Sequence, residues 1–204
     1  MLTPPGVSQR VLNLEGMSGR RYRALINRLI GALESAAYLE IGIWAGSTLC
    51  SAIADNKVTA VGIDNWSKFG GPRERFFRTL RRFQGPDSRV TIIERDFHDV
   101  DFSVIGRFNV YLFDGPHGEE DQYDGVVIAQ PALAKDFVLI VDDWNRPRVR
   151  RGTQRAIESL GLRVNYAVEL RTTLDDNDTP VAHETSDWHN GYFLASLSKT
   201  QGVT

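Results

Sequence analysis

The sequence predicts an α/β fold: a doubly wound, mostly parallel seven-stranded sheet whose last strand runs antiparallel. Three observations carry that reading. From residue 37 onward, short β-branched and aromatic runs alternate with helical segments, the pattern of parallel strands joined by crossover helices. The last two strand candidates follow one another with no helix between them, so they must run antiparallel. The chain has 204 residues, which at ~150 residues per domain leaves room for one core and little more.

The elements follow in order. Residues 1–17 contain two prolines and two glycines and read as an irregular arm. Ser18 can cap a helix in which Tyr22, Leu25, Ile26, Leu29, Ile30 and Leu33 share one face. Strands are expected at 37–41, 58–63, 89–94, 108–113 and 137–141, apolar enough to be buried on both faces. Helices are expected at 47–55, 72–84, 119–134 and 148–160, the third interrupted by Pro131 and the last stopped by Gly161. Leu162, Val164, Tyr166, Val168 and Leu170 alternate with period two and mark a sixth strand; 191–198 marks the seventh. If the sixth is parallel to the first five, the polar loop 171–190 overhangs the carboxyl edge of the sheet, where such folds bind ligands. The arm and first helix (1–36) and the core (37–198) are taken as one domain over 1–204.

Composition narrows the function. Hydrophobic residues make up 42% and charged residues 25%, which excludes a disordered tail, a collagen-like repeat or a coiled-coil rod. The net charge of -2 gives no global field for nucleic acid or an anionic membrane, so neither is expected as a partner. Cys50 stands alone and can form neither an internal disulfide nor a zinc cluster. Residues 1–17 lack the pattern of a signal peptide, and no apolar run approaches ~18 residues, so a cytoplasmic protein is expected.

Three constellations can carry chemistry. Residues 40–48, Glu-Ile-Gly-Ile-Trp-Ala-Gly-Ser-Thr, form a strand–turn–helix junction with Gly42 and Gly46 four apart. Trp44 stands where a dinucleotide fingerprint has its middle glycine, which disfavours a pyrophosphate, and Glu40 suits a cationic ligand group. Asp64 closes the second strand and can accept from ribose hydroxyls. Asp96, after the third, can accept from an adenine amino group or simply cap a turn. The most specific constellation joins Asp114-Gly115-Pro116-His117 with Asp142-Asp143-Trp144. Carboxylates gathered at one sheet edge repel unless a cation neutralises them, and hard oxygen ligands suit Mg²⁺, or Ca²⁺ or Mn²⁺. His117 is a candidate base; His183 and His189 sit with Trp188 in the overhanging loop; His98 reads as structural. The basic run Arg146, Arg148, Arg150 and Arg151 reads as a solvated helix face.

Together these residues resemble class I S-adenosylmethionine-dependent methyltransferases, whose Rossmann-like fold ends in an antiparallel strand. Residues 39–46 look like the nucleotide loop of the macrocin O-methyltransferase group. Asp114-Gly115-Pro116-His117, the later Tyr123-Asp124-Gly125 and Asp142-Asp143-Trp144 look like the methyltransferase-24 family, with Pro116 replacing that family's second acid. The resemblance implies S-adenosylmethionine as cofactor, with Glu40 on its ammonium, Gly42, Gly46 and Ser47 along its methionine part, Asp64 on the ribose, Asp96 on the adenine and Asp114 nearby. It implies a divalent ion such as Mg²⁺ on Asp114, Asp142 and Asp143, and catalytic roles for Asp114, His117 and Asp143. The expected acceptor is a small-molecule hydroxyl (sugar, polyketide-linked or phenolic), and the oligomeric state is open between monomer and homodimer. The alternatives are a cephalosporin-hydroxylase-like protein on the same scaffold, an NAD-dependent oxidoreductase, and a non-catalytic nucleoside-binding or interaction module.

Overall fold

The structure is a computed structural model that describes residues 7–180 and 186–200. Seven strands form one sheet: β1 (Ala36–Ile41), β2 (Val58–Ile63), β3 (Ser88–Ile93), β4 (Phe108–Phe113), β5 (Leu133–Asp142), β6 (Arg163–Leu170) and β7 (Tyr192–Ser198). Their order is β3-β2-β1-β4-β5-β7-β6. The first five are parallel, and β7 runs antiparallel to both β5 and β6. The order reverses between β1 and β4, so the carboxyl ends of those strands open a crevice.

Because side chains alternate along each strand, the sheet has two apolar faces. Tyr38, Ala60, Val110, Leu112 and Ile140 pack under α2 (Arg20–Gly31), α3 (Ser47–Ile53) and α4 (Arg73–Phe83). Leu39, Ile41, Val61, Tyr111, Phe113 and Val141 pack under α5 (Glu119–Ala129) and α6 (Pro147–Ser159). Among the described residues no helix is long and apolar enough to cross a membrane.

Four local expectations are corrected. The arm is not wholly irregular: Gln9–Leu12 forms a short helix, α1, capped by the Ser8 hydroxyl. Ser18 does not cap α2; Gly19 takes that position, and the Ser18 hydroxyl bonds the Ser47 hydroxyl at 2.7 Å and the Arg23 Nε at 2.9 Å instead. The helix expected over 119–134 stops at Ala129, where Pro131 turns the chain through a 3-10 turn (Gln130–Ala132), and β5 begins at Leu133, earlier than its apolar run suggested. The alternating residues of β6 are largely solvent-facing, Tyr166 being 70% exposed, because β6 is the edge strand.

Two contacts set the carboxyl edge. Gly42 has φ +90, and a Cβ there would lie 1.9 Å from the Asp114 carbonyl oxygen, so only glycine lets the end of β1 approach β4. Arg23, wholly buried on α2, donates to the carbonyls of Leu12, Leu14, Gly16 and Ser18. It thereby folds the arm back over the carboxyl edge and brings Met17 to the crevice. Replacing Arg23 with Met is expected to cost about 3 kcal/mol in urea unfolding, since hydrogen bonds to a buried charged group are lost and their partners stranded. Amide exchange over residues 12–18 should accelerate with it. An unchanged exchange rate would show that the arm holds itself.

Candidate functional site

The turn after β1 is built around an acid from β2. The Asp64 carboxylate accepts the backbone N–H groups of Ile43 (2.8 Å), Trp44 (2.7 Å) and Trp66 (2.6 Å). Trp44 adopts φ 46, its indole N–H reaches the Phe69 carbonyl at 3.0 Å, and its own carbonyl accepts the Trp66 indole at 2.9 Å. The loop after β2 is thereby braced against the loop after β1. Between them lies a solvent-open cavity of about 270 Å³, walled by Met17, Gly42, Trp44, Asp64, Asp96, Phe97, Asp114 and His117 among others. That is just under the ~300–1,000 Å³ usual for small-molecule sites.

The structure brings some of the expected cofactor residues to this cavity and not others. Gly42, Asp64, Asp96 and Asp114 line it; Glu40, Gly46 and Ser47 do not. Glu40 is wholly buried, its two oxygens taken by the Tyr38 hydroxyl and the Thr48 hydroxyl, each at 2.5 Å. Burial pushes its carboxyl up to about 8, although those two hydrogen bonds pull the other way. Gly46 packs on the Phe76 ring, and Ser47 faces Ser18. Asp96 accepts from the His98 N–H and ring and from the Asn65 amide. Partial burial raises its carboxyl, but the His98 contacts win and hold it below the usual range.

Beside the cavity the acids at the ends of β4 and β5 converge. Asp142 and Asp143 are buried, and Asp143 is turned by a positive φ of 56. Its Oδ2 lies 3.0 Å from His117 Nε2 and 2.8 Å from Arg146 Nη1; its Oδ1 accepts the Asn190 amide at 2.8 Å. Asp114 and Asp142 lean on one another, and burial together with neighbouring carboxylates pushes both well above the usual range. His117 is held low, first by burial and then by Arg146 and Arg148, against the opposing pull of Asp143. Its Nδ1 is buried without a hydrogen-bond partner among the described residues. Among the described residues, ligand atoms of Asp142, Asp143 and His189 lie mutually within 4.8 Å, and Asp114, the other acid expected in the set, bonds Asp142.

Several of these residues were not singled out by sequence reasoning. Arg146 belongs to a run read as solvated, yet it bridges Asp143 to Asp178 in the loop above, with both contacts to Asp178 at 2.8 Å. Its spacing of three from Asp143, at the start of a helix, was the available signal. Asn145 holds the same loop through Thr172 and Asn177, so residues 171–180 do overhang the carboxyl edge. His183 lies outside the described residues. Tyr22, expected on the apolar face of the first helix, stacks on the buried Tyr192 at 3.3 Å; Asn190 and Tyr192 carried no sequence signal as site residues.

Residues 39–144 match the methyltransferase-24 family, described as a methyltransferase domain. The chain belongs to this family and is an S-adenosylmethionine-dependent methyltransferase. The methyltransferase fold also recurs in solved structures. An O-methyltransferase from Bacillus cereus in complex with SAH superposes with TM-score 0.61 at 13% identity, covering 97% of this chain and 94% of that one. The cofactor-bound Rv0187 from MTB gives TM-score 0.61 at 15% identity, covering 94% and 88%. The O-methyltransferase TomG from Streptomyces achromogenes, involved in tomaymycin synthesis and in complex with SAM, gives 0.57 at 15%, covering 86% and 79%. No curated protein matches the sequence significantly.

The buried Glu40 gives the methyltransferase a pH signature. Its folded-state pKa of about 8 lies above its ordinary 4.5, so its contribution is fully present below pH 4.5 and is lost as pH rises through 8. Glu40→Gln should flatten the fall in melting temperature between pH 5.5 and 8.5 relative to the wild type. Parallel curves would mean that Glu40 ionises as easily folded as unfolded.

Proposed function

We propose that this methyltransferase moves the S-adenosylmethionine methyl group to a hydroxyl oxygen of a small molecule, with His117 as the base. One observation carries the reading: on the wall of the nucleoside-sized cavity, His117 presents Nε2 to the buried Asp143 and keeps Nδ1 without a partner. Asp143 fixes the imidazole tautomer, as an acid does for the histidine of a hydrolase triad. With Nε2–H on Asp143, the Nδ1 lone pair accepts the acceptor's proton. Because burial holds His117 low, it is neutral and ready near pH 7.

The cavity suits the cofactor. It offers acids and apolar walls, matching a ligand that carries a sulfonium and an ammonium but no phosphate. Asp64 and Asp96 retain acceptor capacity for the ribose and the adenine. With Glu40 engaged by Tyr38 and Thr48, its carboxylate does not face the cavity. The sulfonium methyl is already activated, so the protein's main task is to align the oxygen with it and exclude water.

The acids also fit a divalent cation such as Mg²⁺. Arg146 pairs with Asp143, while burial and the neighbouring carboxylates force the carboxyls of Asp114 and Asp142 upward. A bound ion would lower the pKa of a substrate hydroxyl and fix its direction. The expected acceptor is a sugar, polyketide-linked or phenolic hydroxyl.

Calorimetric titration of S-adenosylmethionine, with Mg²⁺ and then with a chelator, tests the cofactor half; binding is expected in both. No binding to folded protein in either condition removes the proposal. Asp114→Asn is expected to abolish turnover, read as S-adenosylhomocysteine release during a screen of hydroxylated acceptors, with cofactor affinity changed only a few-fold. His117→Gln should lower kcat by roughly 10²–10⁴-fold, the usual worth of a general base. Full activity in that variant would move the base elsewhere.

A further inference from the structure

We propose that Arg23 is a positioning residue for the cofactor: it holds residues 14–18 as a strap across one end of the cavity, and the strap retains the cofactor's amino-acid tail. The inference rests on the reading above that the cavity takes S-adenosylmethionine with its nucleoside on Asp64 and Asp96.

The strap joins α1 to α2 and belongs to neither a helix nor a strand. Burial alternates along it: Leu14, Gly16 and Ser18 are buried, whereas Asn13 and Glu15 are exposed. Met17 breaks the alternation, half-buried where it meets the cavity. Without a helix ladder or a sheet partner, buried carbonyls need another donor. Arg23 is that donor. Its guanidinium reaches the carbonyls of Leu12, Leu14, Gly16 and Ser18 and, at 2.9 Å, the Ser18 hydroxyl. Five donors in a planar fork match this set of acceptors, whereas lysine has three on one atom and cannot span it.

The strap is seated as well as held. The Ser18 hydroxyl meets the Ser47 hydroxyl at 2.7 Å, and a Cβ on Gly16 would collide with the same Ser47 side chain. Ser47 opens α3 directly after the β1 turn, so the strap lies on the β1 side of the cavity. Asp64 and Asp96 follow β2 and β3, which the sheet order places on the other side. A nucleoside held by those two acids leaves its amino-acid tail toward β1 and Met17.

Two attachments compete for control of the strap. Glu15 pairs with Arg75, whose guanidinium carbon lies 5.3 Å from the centroid of the Trp44 ring. Both partners of that pair are more than a third exposed, and such pairs contribute little. The buried arginine therefore sets the strap's position. Arg23 is wholly buried and lines no part of the cavity, so its effect on the cofactor passes through the strap.

The test uses the full chain and two ligands titrated by calorimetry: S-adenosylhomocysteine, and 5′-methylthioadenosine, which keeps the nucleoside and sulfur but lacks the amino-acid tail. Arg23→Lys should weaken S-adenosylhomocysteine at least tenfold and 5′-methylthioadenosine less than threefold. A merely structural role would weaken both alike. Gly16→Ala, which lifts the strap off Ser47 and leaves Arg23 in place, should show the same split, and it decides the matter should Arg23→Lys fail to fold. In wild type, S-adenosylhomocysteine should slow amide exchange over residues 14–18, and 5′-methylthioadenosine should not. Equal losses for the two ligands, unchanged affinity for S-adenosylhomocysteine in the folded variants, or exchange over 14–18 that ignores it each overturn the proposal. Wild type and variants that bind S-adenosylhomocysteine equally well defeat this inference alone, whereas folded wild type that binds neither ligand defeats the cofactor reading beneath it.

Discussion

Asp143 is the residue around which the carboxyl edge is organised. A carboxylate this buried is tolerated only when its charge is paired and its lone pairs are filled, since removing one partner of such a pair costs several kcal/mol. The partners come from three places: His117 from the turn after β4, Arg146 from the start of α6, and Asn190 from the loop before β7. Satisfying one acid therefore ties three segments of the carboxyl edge together, and the positive φ at Asp143 is the local strain accepted to aim it.

The charges around it are unevenly shared, and that asymmetry gives the site its chemistry. Arg146 neutralises Asp143 and continues to Asp178, clamping the overhanging loop, while Asp114 and Asp142 lean on one another, with the Asp143 N–H on Asp142 at 2.7 Å and buried tyrosines nearby. One side of the cluster is thus a finished structural pair that orients a histidine. The other is electrostatically incomplete, the condition under which a protein attracts either protons or a cation. On the opposite wall, the buried Arg23 does for the arm what Arg146 does for the loop, using backbone carbonyls in place of carboxylates.

Much of this was legible in the sequence because it depends on local pattern. The glycine spacing, the acid closing each strand and the missing crossover before the last strand all follow from backbone geometry, and the family match spans the same residues. What escaped depends on tertiary partners. The alternation in β6 does not reveal that the strand lies at an edge. Glu40 reads as a ligand residue until Tyr38, two positions earlier, and Thr48 are seen to close on it. Ser18 has the chemistry of a cap, but a buried arginine one turn later outcompetes the helix end for its hydroxyl. His189 and Asn190 lie some 45 residues beyond Asp143, and only the pairing of β7 with β5 returns them to it.

The turn after β1 shows how one substitution redirects a fold's ligand chemistry. In a phosphate-binding turn the backbone N–H groups face the ligand and glycines let the anion approach. Here the N–H groups of Ile43 and Trp44 point to the Asp64 carboxylate, so the protein supplies its own anion to the place a pyrophosphate would need. The Trp44 side chain then crosses to the next loop and holds it through the Phe69 carbonyl. A turn whose donors are already engaged, beside a cavity walled by three acids, disfavours phosphates and suits a ligand with positive charge. Trp44 and Asp64 thus act as a unit: the aspartate removes the anion site, and the tryptophan uses the vacated approach to brace the cavity's rim.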